Sequence, residues 1–541
     1  MKKTYLRFKP VVLLLAGILV FAGCNSDNGG NTETFTVVFH PNTAVPVANM
    51  PANITGVNSG STITRPAAIP TRTDDFEFRG WFRDQQATDE WNFATDRVTG
   101  RVLLFAGWED VSIPIHTVIF SSNTPAAVAN MPRVLFDIDH QTRLDPPSET
   151  PTRRFHTFAG WYTNAETTTA WNFASNEVTS DMTLFARWER DHSQTLPPFE
   201  INSPYARVDW DQWGQYKAAL HTHTTRSDGA MSPVAVINRH FELGFDILAI
   251  TDHNRYADSW TNMGLSQARY NEIRTGVGRG GRGMLEIYSS NEQDANHHSN
   301  VFLTHIPENL PTITSVLERV RALDGLMQIN HPGRYGTATA TSHVERYVNY
   351  LMPFPNAVGL EVMNNRDRYR NDRIVWDNVN EITIPLGRIV WGLFNDDSHG
   401  EDLTRSNHGI GFSFNMFLMP ENTVENFRTA MFEGTFWGVA RRARNEGIEN
   451  AIDITVQEPV ITNIVVDENA GTITITASHY HRIDWIARGS NSTLGGPVTP
   501  IHTGNTLTIG NHPQITTWVR AHIIGPGGIA FTQPFGIVRN N

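Results

Sequence analysis

The sequence predicts a multidomain protein: two small β-rich repeats, an α/β barrel, and a terminal β-sandwich-like domain. Three observations lead there. A series of motifs recurs with a period of about 80 residues. A central stretch alternates short apolar strands with helical patterns, and the stretch after it returns to strict strand alternation. The length of 541 residues accommodates roughly three to five domains. A 40% hydrophobic share supplies apolar material for several cores, which excludes wholesale disorder.

Lys2, Lys3, Arg7 and Lys9 precede an apolar run from Val11 to Gly23. The run is too short to span a bilayer and suits the core of a signal peptide. It ends Phe21-Ala22-Gly23-Cys24, which resembles a bacterial lipobox. The resemblance implies a signal peptide over 1–23, lipidation of Cys24 and a Gly/Asn-rich tether over 24–34. The expected location is extracytoplasmic, on the bacterial membrane or cell surface.

The repeats follow. Val47-Ala48-Asn49-Met50-Pro51 recurs at 128–132, Gly80-Trp81 at Gly160-Trp161, Trp91-Asn92-Phe93-Ala94 at 171–174, and Trp108 at Trp188. Thr36–Phe39 and Thr117–Phe120 open the units as strands. The opening strand, FxGW, WNFA and LFAxW in order resemble the Listeria–Bacteroides repeat, a small β-grasp-like module, over 35–110 and 115–190. The Trp residues read as core packing, and the module as a spacer or adhesive element with a surface ligand of its own. Residues 191–212 are expected to be a linker.

From about Tyr216, βα units begin. Ala218–Leu220 and Phe245–Thr251 read as strands, with Ser232-Pro233 opening a helix between them. Leu326–Asn330, Val358–Met363 and Ile389–Asn395 are further strands. Val316, Leu317, Val320 and Leu323 mark one helix face, and Val424, Phe427 and Met431 another. About seven such units over 213–449 suit an α/β barrel, whose chemistry sits where strands end. Over 456–541, Thr472–Thr476 alternates strictly after a turn at Glu468–Gly471, and no chemistry is evident.

A formal charge of −12 argues against a general nucleic-acid coat, so nucleic acid is not an expected partner. One cysteine excludes an intrachain disulfide and a Cys-based zinc site, so any metal must be held by His, Asp and Glu. Such residues fall at one predicted strand end after another: His221-Thr222-His223, Thr251-Asp252-His253, Asn291-Glu292, His297-His298, Asn330-His331 and Asn395-Asp396-Asp397-Ser398-His399. Strand residues two apart share a face, so both imidazoles of His221 and His223 can reach one ion.

The segments HTHTTRSDG, ITDHN, INHPG and NDDSH resemble, in order, the motifs of the PHP (polymerase and histidinol phosphatase) metal-dependent phosphoesterases. That resemblance implies a distorted seven-stranded (β/α)7 barrel with two or three divalent ions, Zn, Mn or Fe. It implies His221, His223, Glu292 and Asp397 around the first metal, Glu292 bridging to a second completed by His298 and His331, and Asp228, His253 and His399 around a third. Glu286 competes with Glu292, and Asp396 with Asp397. The implied activity is hydrolysis of a small phosphate mono- or diester by a metal-activated water, with His253 or His399 as proton donor. Arg226, Arg255 and Arg334 neighbour ligands and could fork onto phosphate. Glu361 reads either as a carboxylate orienting a ligand imidazole or as an ordinary rim ion pair. Two other readings stand beside this one: a surface adhesin or glycan-binding lipoprotein using the barrel as scaffold, and a metallohydrolase of a carbamate, amide or carboxylic ester.

Overall fold

The computed structural model describes residues 33–540 except 112, 257, 401–408 and 491–495. The expected signal peptide and Cys24 lie outside the described residues. The chain divides into two compact units, one ending at Pro114 and one beginning at Ile115. No helix among the described residues is long and apolar enough to cross a membrane.

The first unit holds β1 (Thr34–His40), β2 (Ile54–Asn58), β3 (Phe76–Phe82) and β4 (Val102–Asp110) in the order β2-β1-β4-β3. β1 runs parallel to β4, and the other pairs are antiparallel. Val37, Trp81, Trp91 and Leu104 close its core. The second unit opens with the same arrangement in β5 (Ile115–Ser121), β6 (Leu135–Asp139), β7 (His156–Tyr162) and β8 (Met182–Arg190), around Val118, Trp161 and Leu184. The WNFA segments form turns at 93–95 and 173–175. No helix lies on either sheet among the described residues.

The second unit continues through β9 (Phe199–Asn202), β10 (Gly214–Ala219), α1 (Pro233–Glu242), β11 (Ile247–Ala249), α2 (Gln267–Thr275), β12 (Leu285–Ile287), β13 (Asn291–Gln293), β14 (Ser299–Phe302), α3 (Ile313–Ala322), β15 (Leu326–Ile329), α4 (Thr341–Leu351), β16 (Ala357–Asn364), α5 (Asp372–Thr383), β17 (Trp391–Asn395), β18 (Ser413–Met419), α6 (Val424–Glu433) and β19 (Phe436–Ala440). Ser232 caps α1 by accepting from the Ala235 amide, and Pro233 occupies its first turn, where no amide donor is needed. Val316, Leu317 and Val320 of α3 are buried, as are Phe427 and Met431 of α6.

Where a distorted (β/α)7 barrel is expected, the strands are divided between two sheets. In one, β10, β11 and β12 run parallel, with β18 antiparallel on the far side of β10. The other has the order β13-β14-β15-β16-β17. There β13, β14 and β15 alternate in direction, because the five residues between β13 and β14 are too few for a crossover. The sheets meet at isolated parallel bridges, Thr222 with Ser398 and His253 with Glu292.

The tail forms β20 (Val460–Asp467), β21 (Thr472–Ser478), β22 (Arg482–Ala487), β23 (Thr506–Thr508), β24 (Trp518–Gly525), β25 (Gly528–Phe531) and β26 (Phe535–Arg539). It does not stand apart as a sandwich-like domain. β25 pairs with β19, which extends the first sheet into the tail, and one apolar core runs from Phe245 and Trp437 to Trp485 and Ile523. The reason lies in β24, whose eight residues are all buried and so need cover on both faces. Residues 191–212 are more than a linker, since β9 pairs with β26.

The second repeat is docked on the rest of its unit. Ser121 Oγ donates to the Leu386 carbonyl at 2.7 Å, and the Arg153 guanidinium forks onto Glu200, with both side chains under a tenth exposed. Arg321 stacks over Phe136, which also meets Phe354. Gly387 is required there: its φ is +92°, and a Cβ would stand 1.8 Å from Ser122 Oγ.

Candidate metal centre

His221 and His223 follow the end of β10, two residues apart, with both side chains fully buried. Their Nε2 atoms converge on the same two oxygens. His221 Nε2 lies 3.2 Å from Glu292 Oε2 and 3.2 Å from Asp397 Oδ1; His223 Nε2 lies 3.3 and 3.1 Å from those atoms. Neither nitrogen has a hydrogen-bond partner. Corners of a tetrahedron around an ion bound at about 2.0–2.1 Å are roughly 3.3 Å apart, so this set matches first-row metal coordination.

The surroundings aim these rings. Glu361 Oε1 accepts from His221 Nδ1 at 2.8 Å, which leaves Nε2 as the inward lone pair. Asn330 donates to Glu292 and Asn364 to Asp397. Asp252 accepts from the Thr224 amide, the Thr224 hydroxyl and Ser227, pinning the turn that carries Asp228. Gly229 lets that turn press onto the strand end: a Cβ would lie 2.7 Å from the His223 carbonyl.

Three groups of donors lie with all ligand atoms within 4.8 Å of one another: His221, His223 and Glu292; His253, Glu292, Asp294 and His298; and His223, Asp228, His253 and His399. Asp397 joins the first through the distances above. His331 stands farther off, its Nε2 3.9 Å from Glu292 Oε1, on a backbone with φ +30°. Its amide donates to Glu361 Oε2. Glu286 is elsewhere, accepting from the Trp260 amide. Asp396 turns away to accept from the amides of Gly411, Phe412 and Ser413. His297 bonds the Tyr347 hydroxyl. Arg226 donates to the Tyr256 carbonyl at 2.8 Å while its Nη1 is sealed without a partner, and Arg334 lies over the Tyr335 ring. Arg255 is exposed. Asp294 was not anticipated, although Glu292-x-Asp294 repeats the two-residue spacing that singles out His221-x-His223.

Electrostatically the cluster is a cation receptor. Burial opposes charge on His221, yet Asp397, Glu292 and Glu361 outweigh it and hold its pKa well above the ordinary value. His223, likewise buried against Asp397 and Glu292, rises to about 9. Burial opposes ionisation of Glu292 and Asp397 too, but the neighbouring imidazoles hold both well below the usual carboxylate range. Without a metal, protons on the imidazoles compensate the carboxylates. A divalent ion can take over that compensation, with release of protons.

Residues 35–107 and 116–187 each match the Listeria–Bacteroides repeat domain family. A protein of Evansella cellulosilytica named as a Gly-rich membrane protein is 34% identical over 155 residues, 29% of this chain and 16% of its own length. Internalin H of Listeria monocytogenes is 27% identical over 188 residues, 33% of this chain and 29% of its own length. The chain thus matches well under half the length of these curated relatives. Among solved structures, a two-domain protein of Bacteroides vulgatus containing a predicted PHP-like metal-dependent phosphoesterase is 15% identical, with a TM-score of 0.33, over 63% of this chain and 99% of that one.

Proposed function

We propose that residues 213–449 form a distorted PHP-type barrel that hydrolyses phosphate mono- or diesters with two or three divalent ions, Zn, Mn or Fe, outside the cytoplasm. The observation that carries this reading is the convergence of the buried, unsatisfied Nε2 atoms of His221 and His223 on the Glu292 and Asp397 oxygens. So many imidazoles and carboxylates are costly to bury together unless a cation repays the desolvation.

In this reading His221, His223, Glu292 and Asp397 would hold one ion, Glu292 with His298 and His331 would hold a second, and Asp228, His253 and His399 would hold a third. The bound ions supply Lewis acidity, acidifying water and neutralising phosphate charge. The chain's own residues do the rest. Glu361, Asn330 and Asn364 keep the ligand atoms aimed. Arg226 and Arg334 each follow a proposed ligand by three residues, His223 and His331, and would bring guanidinium charge to a bound phosphate. His253 and His399 lie on the more open side, with side chains 23% and 18% exposed, and whichever of the two is not committed to the third ion would hold the proton for the leaving alkoxide. The matches to the repeat family and to proteins named for the membrane support display on the cell surface, where lipidated Cys24 would be the anchor. There the repeats would contact a surface ligand.

Metal analysis of the full-length chain, with turnover of p-nitrophenyl phosphate and bis-p-nitrophenyl phosphate, tests this. The expected result is two or three equivalents of divalent metal and turnover abolished in His221→Ala/His223→Ala. A metal-loaded chain that is inert toward both phosphates but cleaves an amide or carbamate replaces the bond assignment. One inert toward the whole panel sinks the hydrolase reading and favours a scaffold for an adhesin.

A further inference from the structure

We propose that a small cavity in the tail binds a neutral, polyhydroxylated ligand the size of one sugar ring. The inference goes beyond the hydrolase reading and does not rest on it, since no residue of the metal centre takes part.

Strand alternation builds the site. β22 and β24 pair antiparallel with Arg482 opposite Ile524, Asp484 opposite His522 and Ile486 opposite Arg520, so these six share one face. The residues between them, Ile483, Trp485, Ala521 and Ile523, fill the apolar core behind. All of the six but Arg520 line a cavity of about 270 Å³. Thr503, opposite Asp484 on the short strand His502–Thr503, adds a hydroxyl to the wall. Glu446, in the segment after β19, closes the far side with its side chain 1% exposed. Val498 is fastened to that segment, its amide donating to the Asn445 carbonyl at 2.8 Å.

Two features select the ligand. First, the charges around the cavity are already matched: Glu446 accepts the fork of Arg373, Asp484 pairs with Arg482 at 3.0 Å, and Arg520 with Asp377 at 3.1 Å. A charged ligand would unbalance one of these pairs, whereas a neutral one leaves them intact. Second, donors and acceptors stand side by side. Asp484 Oδ1 accepts from the Thr503 hydroxyl at 2.8 Å. Arg520 Nη1 donates to His522 Nε2, and a guanidinium cannot accept, so the proton of the imidazole is on Nδ1. Burial and the guanidiniums of Arg520, Arg373 and Arg482 hold the His522 pKa well below its ordinary value, so the ring is neutral. Its Nδ1–H makes no hydrogen bond among the described residues, and the ring lines the cavity. Each hydroxyl of a sugar both donates and accepts, so neighbouring hydroxyls can meet this N–H and the carboxylate oxygens together. Ile486, Ile524, Val498 and Pro500 supply the apolar wall for its C–H faces.

Full-length wild type, His522→Phe, Val498→Trp and a control, Val465→Trp, are titrated calorimetrically with D-glucose, D-galactose, D-mannose and N-acetyl-D-glucosamine. The charged sugars D-glucuronate and D-glucosamine are run beside them. Wild type is expected to bind at least one neutral sugar one-to-one with a Kd of about 1 mM, and the charged sugars at least about tenfold more weakly. His522→Phe keeps a ring against Phe531 and removes the donor, for a loss of at least about tenfold. Val498→Trp fills the cavity from a half-buried loop position and abolishes binding, even if His522→Phe does not fold. Val465→Trp, on the exposed side of β20, matches wild type. No neutral sugar bound with a Kd below about 10 mM overturns the inference. So does a preference for either charged sugar, or binding that survives in Val498→Trp. Each of these outcomes leaves the hydrolase reading standing, because that reading is decided by metal content and phosphate turnover.

Discussion

Glu361 has no place among the proposed ligands, yet its two buried oxygens accept from four donors. Oε1 takes His221 Nδ1 and Asn395, and Oε2 takes the His331 amide and Asn364. It therefore links β16 to the ends of β10, β15 and β17 at once. Replacing it by Gln puts donors where an acceptor is needed, and the His221 ring loses the bond that fixes its tautomer. The expectation for Glu361→Gln is metal affinity about 10–100-fold weaker with the fold intact. A competition titration reads the affinity and circular dichroism the fold; unchanged affinity would remove Glu361 from the positioning role. The cluster's candidate ligands were largely legible because short motifs at strand ends put two donors on one face. Asp294 escaped because it sits past the end of β13, where only the fold shows its pairing with His253 and Asn254. The choices of Glu292 over Glu286 and Asp397 over Asp396 depend on which carboxylate faces inward, and local spacing gives only a preference.

Among elements, α1 carries a built-in acid sensitivity. His240 is fully buried in it, its Nδ1–H donating to the Val236 carbonyl, and burial depresses its pKa to about 4. The unfolded chain, with an ordinary value near 6.5, takes up the proton first. Stability from this site is therefore full above about pH 6.5 and falls as pH drops toward 4, by about 2 kcal/mol between pH 7 and 5. His240→Phe, which keeps an aromatic ring beside Phe245, is expected to flatten that limb. Urea midpoints at pH 7 and 5 decide it, and an equally steep loss in the variant assigns the sensitivity to other groups. Helices α1, α3 and α6 were readable from caps or apolar spacing. Helix α5 was not, because it buries Asp372, Arg373 and Asp377 together with its apolar face. Arg373 is matched to Asp367 and Glu446, partners 6 and 73 residues away, and no periodicity reports them.

At the scale of the whole molecule, the two repeats have the same strand arrangement, each in its own sheet, but differ in what they bind. Arg153 of the second repeat is buried on Glu200, whereas Arg72, its counterpart, pairs locally with Asp74 within the first. Arg153→Ala strands a buried carboxylate and is expected to destabilise the second unit by about 3 kcal/mol. Arg72→Ala is expected to cost under about 1 kcal/mol. Differential scanning calorimetry of both variants reads this, and equal shifts would reduce the docking to a surface contact. The repeats themselves were plain in the sequence. The docking was not, since it depends on Ser122 meeting Gly387, side chain against bare backbone, across 265 residues of chain.

The pairing of β9 with β26 joins residues 199–202 to 535–539. A chain emerging from the ribosome or a translocon must hold the early partner open until the late one has appeared. Closing so long a loop is slow, and the waiting edge invites wrong pairing with neighbouring chains. Maturation of this unit is thus a single late event, and clipping even the final strand would leave the sheet with an adhesive rim.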